Sequence, residues 1–78
     1  MKKNSNLSDC VSSSLRDYFT SLDGEKPSGI YHMVLKSIER PMLETVMEQA
    51  DGNQTLAAEM LGINRNTLRK KLADYDLL

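Results

Sequence analysis

A second cysteine is missing from this chain. Cys10 stands alone, so no internal disulfide and no cysteine-based metal site can be assembled, which fits a reducing, cytoplasmic location. Histidine is as scarce. His32 has no second histidine, no cysteine and no suitably spaced acid, so a structural or surface role is favoured over a metal ligand or a general base. No apolar run approaches membrane-spanning length, and the opening residues carry Lys2 and Lys3 without the apolar segment of a signal peptide. Charge of either sign is not in excess: ten Lys and Arg meet eleven Asp and Glu, so whole-chain electrostatics alone do not suggest nucleic acid. Alternating strand patterns, internal repeats and low-complexity segments are absent. Glu39, Glu44, Glu48 and Asp51 read as a solvated helix face with no pocket around them, so an enzyme reading is rejected, and no cofactor, metal or small-molecule substrate is expected.

What remains is helical periodicity. After a polar stretch at 1–7, expected to be a flexible tail, Val11, Leu15, Tyr18, Phe19 and Leu22 repeat on one helical face, predicting a helix over about 8–22 with Ser8 as its N-cap. The segment from Asp23 to Ser28 joins turn formers to Pro27 and reads as a connector. Helical spacing resumes with Ile30, Tyr31, Val34, Leu35, Ile38, Met42, Val46 and Met47, giving a helix over about 29–50 capped by Ser28. Pro41 falls inside it at a cost of about 3 kcal/mol, yet the apolar phase continues across it, so one helix kinked at Pro41 is expected. Asp51-Gly52-Asn53 ends that helix, with Gly52 suited to a left-handed turn and Asn53 to capping the next. Two shorter helices, about 54–61 and 65–76, complete an all-α chain of four helices. At 78 residues a single chain buries a modest core, and a dimer is the expected supplement. Met33, Met42, Met47 and Met60 are read as core packing, and Cys10 as inert rather than a redox switch.

The last third carries the clearest signal. Six basic residues meet eight acidic ones across 1–52, whereas Arg65, Arg69, Lys70 and Lys71 fall within seven residues that contain no acid. The result is a local basic patch on a mildly acidic body. Ahead of it, Ala57 and Ala58 allow two helices to cross closely, Gly62 permits a sharp turn, and Ile63, Leu68 and Leu72 anchor the second helix, with Tyr75 extending that stripe. Two short helices across a glycine turn, with the basic residues on the second, make a helix-turn-helix DNA reader the favoured expectation for 53–76. Asn64 and Arg65 stand at the end of the second helix that enters a major groove. Arg suits guanine O6 and N7, and Asn suits adenine. Thr67, Arg69, Lys70 and Lys71 follow, while Asn53 and Thr55 can hold a phosphate at the start of the first short helix. The competing view, that the four basic residues merely solvate a surface helix and complement its dipole, leaves the small-residue helix and glycine turn unexplained.

From Gly52 to Leu72, with Asn53-Gln54-Thr55, Gly62-Ile63-Asn64-Arg65 and Thr67-Leu68-Arg69-Lys70-Lys71-Leu72, the chain closely resembles the C-terminal motif of the bacterial nucleoid protein family Fis, factor for inversion stimulation. Tyr18-Phe19, Leu22, Gly24, Tyr31, Val34-Leu35, Pro41, Leu43 and Val46-Met47 extend the resemblance to about residues 7–75. It implies a homodimer whose first two helices, within 8–50, intertwine into a four-helix core presenting two helix-turn-helix units. Their recognition helices lie closer than one DNA turn, so double-stranded DNA must bend and selectivity comes largely from DNA shape. By position, the resemblance implies base contacts from Asn64, Arg65 and Arg69 and backbone contacts from Asn53, Thr55, Thr67, Lys70 and Lys71. It further implies a transcription regulator located in the nucleoid, with RNA polymerase as a further partner. The chain begins almost at the first helix, so the N-terminal arms that stimulate DNA invertases are expected to be missing. Asp51, Leu56, Ala73 and Asp74 stand where the family has basic residues, implying a weaker grip on flanking DNA. Two alternatives stand beside this one: the output domain of an enhancer-binding activator, against which Met1 at the start argues, and a dimerisation or protein-interaction module without DNA binding, against which the intact basic set argues.

Overall fold

The computed structural model describes residues 2–78, with side chains from Asn6 onward; Met1, the first residue of the expected tail, lies outside the described residues. The chain is all-α. Its four helices are α1 (Lys2–Ser21), α2 (Ile30–Gln49), α3 (Gln54–Leu61) and α4 (Arg65–Asp74), and no strand occurs among the described residues. No described helix is long and apolar enough to cross a membrane.

Two compact units divide the chain, the first reaching Val34 and the second running from Leu35 to Leu78. The break falls inside α2. The unit that contains α3 and α4 therefore starts at Leu35 and not at residue 53, because Leu43 and Ala50 of α2 belong to the same buried cluster as the two short helices.

In the first unit α1 begins at Lys2, well ahead of the expected start at residue 8, and Ser8 lies in its interior rather than at a cap. Neither proline nor glycine interrupts residues 2–7, so nothing in the backbone chemistry stops the helix there. Val11, Leu15, Tyr18 and Leu22 are half-buried, whereas Phe19 is exposed and meets Tyr18 edge to face at 5.7 Å. Cys10 is exposed. The helix closes with Ser21 Oγ donating to the Tyr18 carbonyl and Leu22 N–H donating to the same oxygen.

Gly29, not Ser28, supplies the entry to α2: its carbonyl accepts from Met33 N–H at 3.0 Å, and its φ of +67° is a value at which serine would be strained. The helix runs unbroken through Pro41. Proline removes one rung of the ladder, but it lies on an exposed face, and the flanking Ile38, Leu43 and Val46 keep their helical phase.

The second unit is built around Leu43, Ala50, Ala57, Ala58, Leu68 and Leu72, all buried, with Val46, Met47, Leu61, Ile63, Tyr75 and Leu77 packed against them. Ala57 and Leu68 are both fully buried, so α3 and α4 meet where α3 presents a methyl group. Three of the four helices end the same way. After α2, Gly52 N–H donates to the Met47 carbonyl and Asp51 N–H to Glu48. After α3, Ile63 N–H donates to Ala58 and Gly62 N–H to Glu59. After α4, Leu77 N–H donates to Leu72 and Asp76 N–H to Ala73. Each is a Schellman closure that needs one left-handed residue, and those residues are Asp51 (φ +59°), Gly62 (+75°) and Asp76 (+61°). The methionines divide differently from expectation. Met47 packs on the core, whereas Met33, Met42 and Met60 are exposed.

Candidate nucleic-acid interface

Both short helices start on an asparagine. Asn53 is extended, and its Oδ1 accepts the Leu56 N–H at 3.1 Å, while Asn64 is extended and its Oδ1 accepts the Asn66 N–H at 2.7 Å. These bonds satisfy N–H groups that a helix start otherwise leaves without partners. They also restrict chemistry. With one lone pair of the Asn64 carboxamide oxygen engaged in the cap, its NH₂ remains to donate to an acceptor such as a base edge or a phosphate oxygen.

Beyond the caps, Leu68 and Leu72 are fully buried and orient α4, leaving Arg65, Asn66, Thr67, Arg69, Lys70 and Ala73 exposed around the rest of its circumference. Thr55 is exposed one position into α3. Arg69 is tied down: its Nη1 donates to Gln54 Oε1 at 3.3 Å, joining the middle of α4 to the first residue of α3. Gln54 is half-buried and had no assigned role in the sequence, where its pairing across 15 positions leaves no periodic trace. The bond sets Arg69 beside the start of α3, where Asn53 and Thr55 stand, while Asn64 and Arg65 occupy the start and first turn of α4.

Lys71 sits differently. Its Nζ lies 2.8 Å from Glu39 Oε2, its side chain is 36% exposed, and that of Glu39 is only 14% exposed. The other carboxylate oxygen accepts the Tyr75 hydroxyl at 2.7 Å. The Tyr75 carbonyl in turn accepts from Arg40 Nη1 at 2.7 Å, and Arg40 pairs loosely with Glu44 at 3.7 Å. Glu39 is therefore no part of a solvated acidic face. Hydrogen bonds from Lys71 and then Tyr75 hold its carboxyl below the usual glutamate value, and donation to Glu39 raises the Tyr75 phenol above its ordinary one. Glu44, Glu48 and Asp51 are exposed as read. Among the described residues no cluster of His, Cys, Asp and Glu is placed to hold a metal ion.

One further surface concerns α2. Leu35, Ile38 and Met42 are exposed at 37%, 38% and 47%, at spacings of three and four, so one face of the helix is apolar and open in the single chain.

Residues 34–75 match the family described as bacterial regulatory protein, Fis family. Among curated proteins the chain is 64% identical over 69 residues to one from Ralstonia nicotianae named as a Fis-like DNA-binding protein, covering 88% of this chain and 90% of that one. A protein of Neisseria meningitidis serogroup B with the same name is 53% identical over 72 residues, covering 92% and 91%. DNA-binding protein Fis of Mannheimia haemolytica is 53% identical over 74 residues, covering 95% of this chain and 76% of its own length. The chain belongs to the Fis family of bacterial regulatory proteins.

Proposed function

We propose that this chain is a non-enzymatic DNA-binding regulator of transcription that acts as a homodimer on double-stranded DNA in the bacterial nucleoid. The observation that carries the reading is the first turn of α4: a capped helix start, held from behind by fully buried Leu68 and Leu72, that presents Asn64 and Arg65 to solvent with Arg69 and Lys70 one turn on. Such an end enters a major groove, where Arg65 can grip guanine with two hydrogen bonds, Asn64 can donate through its NH₂, and Arg69 can reach base edges from its Gln54 anchor. Asn53, Thr55, Thr67 and Lys70 suit phosphate oxygens and would fix the register. The printed names of the relatives, Fis-like DNA-binding protein and DNA-binding protein Fis, support the same partner.

The open stripe of Leu35, Ile38 and Met42 on α2 supports pairing of two copies, since an apolar face of this kind is costly in water. A pair of closely spaced recognition helices would bend the duplex, so sequences that deform cheaply would bind best. RNA polymerase is a candidate further partner on this reading. The test is a mobility-shift comparison of A-tract-centred and G·C-centred duplexes of equal length, with light scattering of the free protein. Tighter binding to the A-tract duplex by a protein of dimer mass supports the reading. Equal weak binding to both, or a monomer, favours a protein-interaction module instead.

A further inference from the structure

Lys71 is placed among the basic residues of α4 by sequence but not by geometry. At about 100° per residue, Lys71 lies roughly 60° from Leu68 and roughly 100° from Leu72, both fully buried, and roughly 120° from Arg65 and roughly 160° from Arg69. Its ammonium is engaged at 2.8 Å with a carboxylate that is itself largely covered. Tyr75, one turn along the same face, donates to the same carboxylate, and its own carbonyl is held by Arg40. Three polar links thus join the C-terminal end of α4 to residues 39 and 40 of α2, on the flank away from Arg65 and Arg69.

Resting on the DNA-binding reading above, we infer that Lys71 is not a phosphate contact but a positioning residue: with Tyr75 it clamps α4 onto Glu39 and so fixes the rotation at which Arg65, Arg69 and Lys70 meet the duplex. The buried leucines alone set the depth of α4, since apolar packing is weakly directional. Hydrogen bonds of 2.7–2.8 Å to one carboxylate set the angle. A helix that can roll presents the same charge to DNA, but in geometries that fewer base edges and phosphates can meet.

The clamp makes a prediction opposite in sign to simple electrostatics. Removing the acid at position 39 lowers the negative charge near DNA and, by charge alone, would tighten binding; loss of the clamp weakens it. The experiment is a fluorescence-anisotropy titration of an A-tract-centred duplex across a salt series with full-length wild type, Glu39→Gln, Lys71→Gln, Lys71→Glu, the double variant Glu39→Gln/Lys71→Gln, and the charge swap Glu39→Lys/Lys71→Glu. Circular dichroism at the working temperature establishes that each is folded. The expected result is that Glu39→Gln and Lys71→Gln each weaken binding about threefold to tenfold, the scale of a single ordinary hydrogen bond. The double variant is expected to be no weaker than either single one, and the charge swap to regain affinity over Lys71→Glu alone. The slope of log affinity against log salt is expected to match wild type throughout.

The inference is overturned if Lys71→Gln flattens that slope by about 0.9, the increment for one phosphate no longer neutralised, while Glu39→Gln binds as tightly as wild type or more so. If Glu39→Gln does not fold, Tyr75→Phe replaces it: weaker binding at unchanged slope supports the clamp, and unchanged binding opposes it. A wild type that does not bind the duplex removes the DNA-binding reading and the clamp together, whereas a salt-dependent wild type with unaffected Glu39→Gln removes the clamp only.

Discussion

The Tyr75 hydroxyl donates to Glu39 Oε1 at 2.7 Å, and Glu39 Oε2 lies 2.8 Å from the Lys71 ammonium, so one carboxylate on α2 receives a side chain from the last turn of α4 and one from its C-cap. The contact spans 36 positions in sequence and closes the open end of the helix-turn-helix.

This carboxylate gives folding stability an acid limb. Glu39 titrates below its ordinary value of 4.5 in the folded chain, so the native state holds fewer protons there than the unfolded one. The stability it adds is complete above about 4.5 and is lost as pH falls through the lower, folded value. Thermal melts between neutral and strongly acidic pH are expected to show wild type losing this increment while Glu39→Gln does not, the two curves converging at the acid end. On the alkaline side, NMR titration is expected to find the Tyr75 ring ionising above 10.0 and moving downward in Glu39→Gln.

The two helix caps separate stability from recognition. Asn53→Ala and Asn64→Ala each remove a cap and are expected to cost about 1 kcal/mol in denaturant unfolding. Asn64→Asp keeps the accepting oxygen and adds a favourable charge at a helix start, so stability is expected to hold. The same change removes the NH₂ donor and repels phosphate, so DNA affinity is expected to drop at least about tenfold, or about 1.4 kcal/mol.

Aspartate closes α2 and α4 at left-handed positions where glycine costs less. Asp76→Gly is expected to raise stability by about 0.5–1 kcal/mol, since Asp76 stands at φ +61°. Asp51→Gly, at φ +59°, is expected to act likewise and, by removing a negative charge beside Asn53, to strengthen DNA binding modestly. Chemical denaturation of the two variants checks the first effect and a titration at low salt the second.

Core packing sets a larger scale. Leu68→Ala, at a fully buried position in the cluster that also holds Ala57, is expected to destabilise by about 2–5 kcal/mol through lost burial and the cavity left behind. By contrast Ile38→Glu, on the open face of α2, is expected to spare the second unit's core and to reduce the mass in solution to the 8.8 kDa of one chain. Sedimentation and circular dichroism together check both.

Most of the helical layout was legible from the sequence because apolar periodicity and turn residues carry it. Gly62 and Asn53 mark their turns chemically, and Leu68 and Leu72 mark the buried stripe of α4. Three features were not legible. The start of α1 at Lys2 has no cap signal, and polar residues without a breaker leave helix and tail equally open in sequence. The entry to α2 at Gly29 depended on a backbone angle that displaced the better capping residue, Ser28. The roles of Glu39, Arg40 and Gln54 depend on pairings across 15 to 36 positions, which no local pattern records. The neighbours of Lys71 in sequence are basic and exposed, and only the fold pairs it with the largely covered Glu39.

Binding of DNA through the first turn of α4 is tested most directly by anisotropy titration of one A-tract-centred duplex with wild type and Arg65→Ala across a salt series. Removal of a guanine-gripping arginine is expected to cost about 1–3 kcal/mol, and wild-type affinity is expected to fall steeply as salt rises. Equal, weak and salt-independent binding by the two proteins would contradict the account.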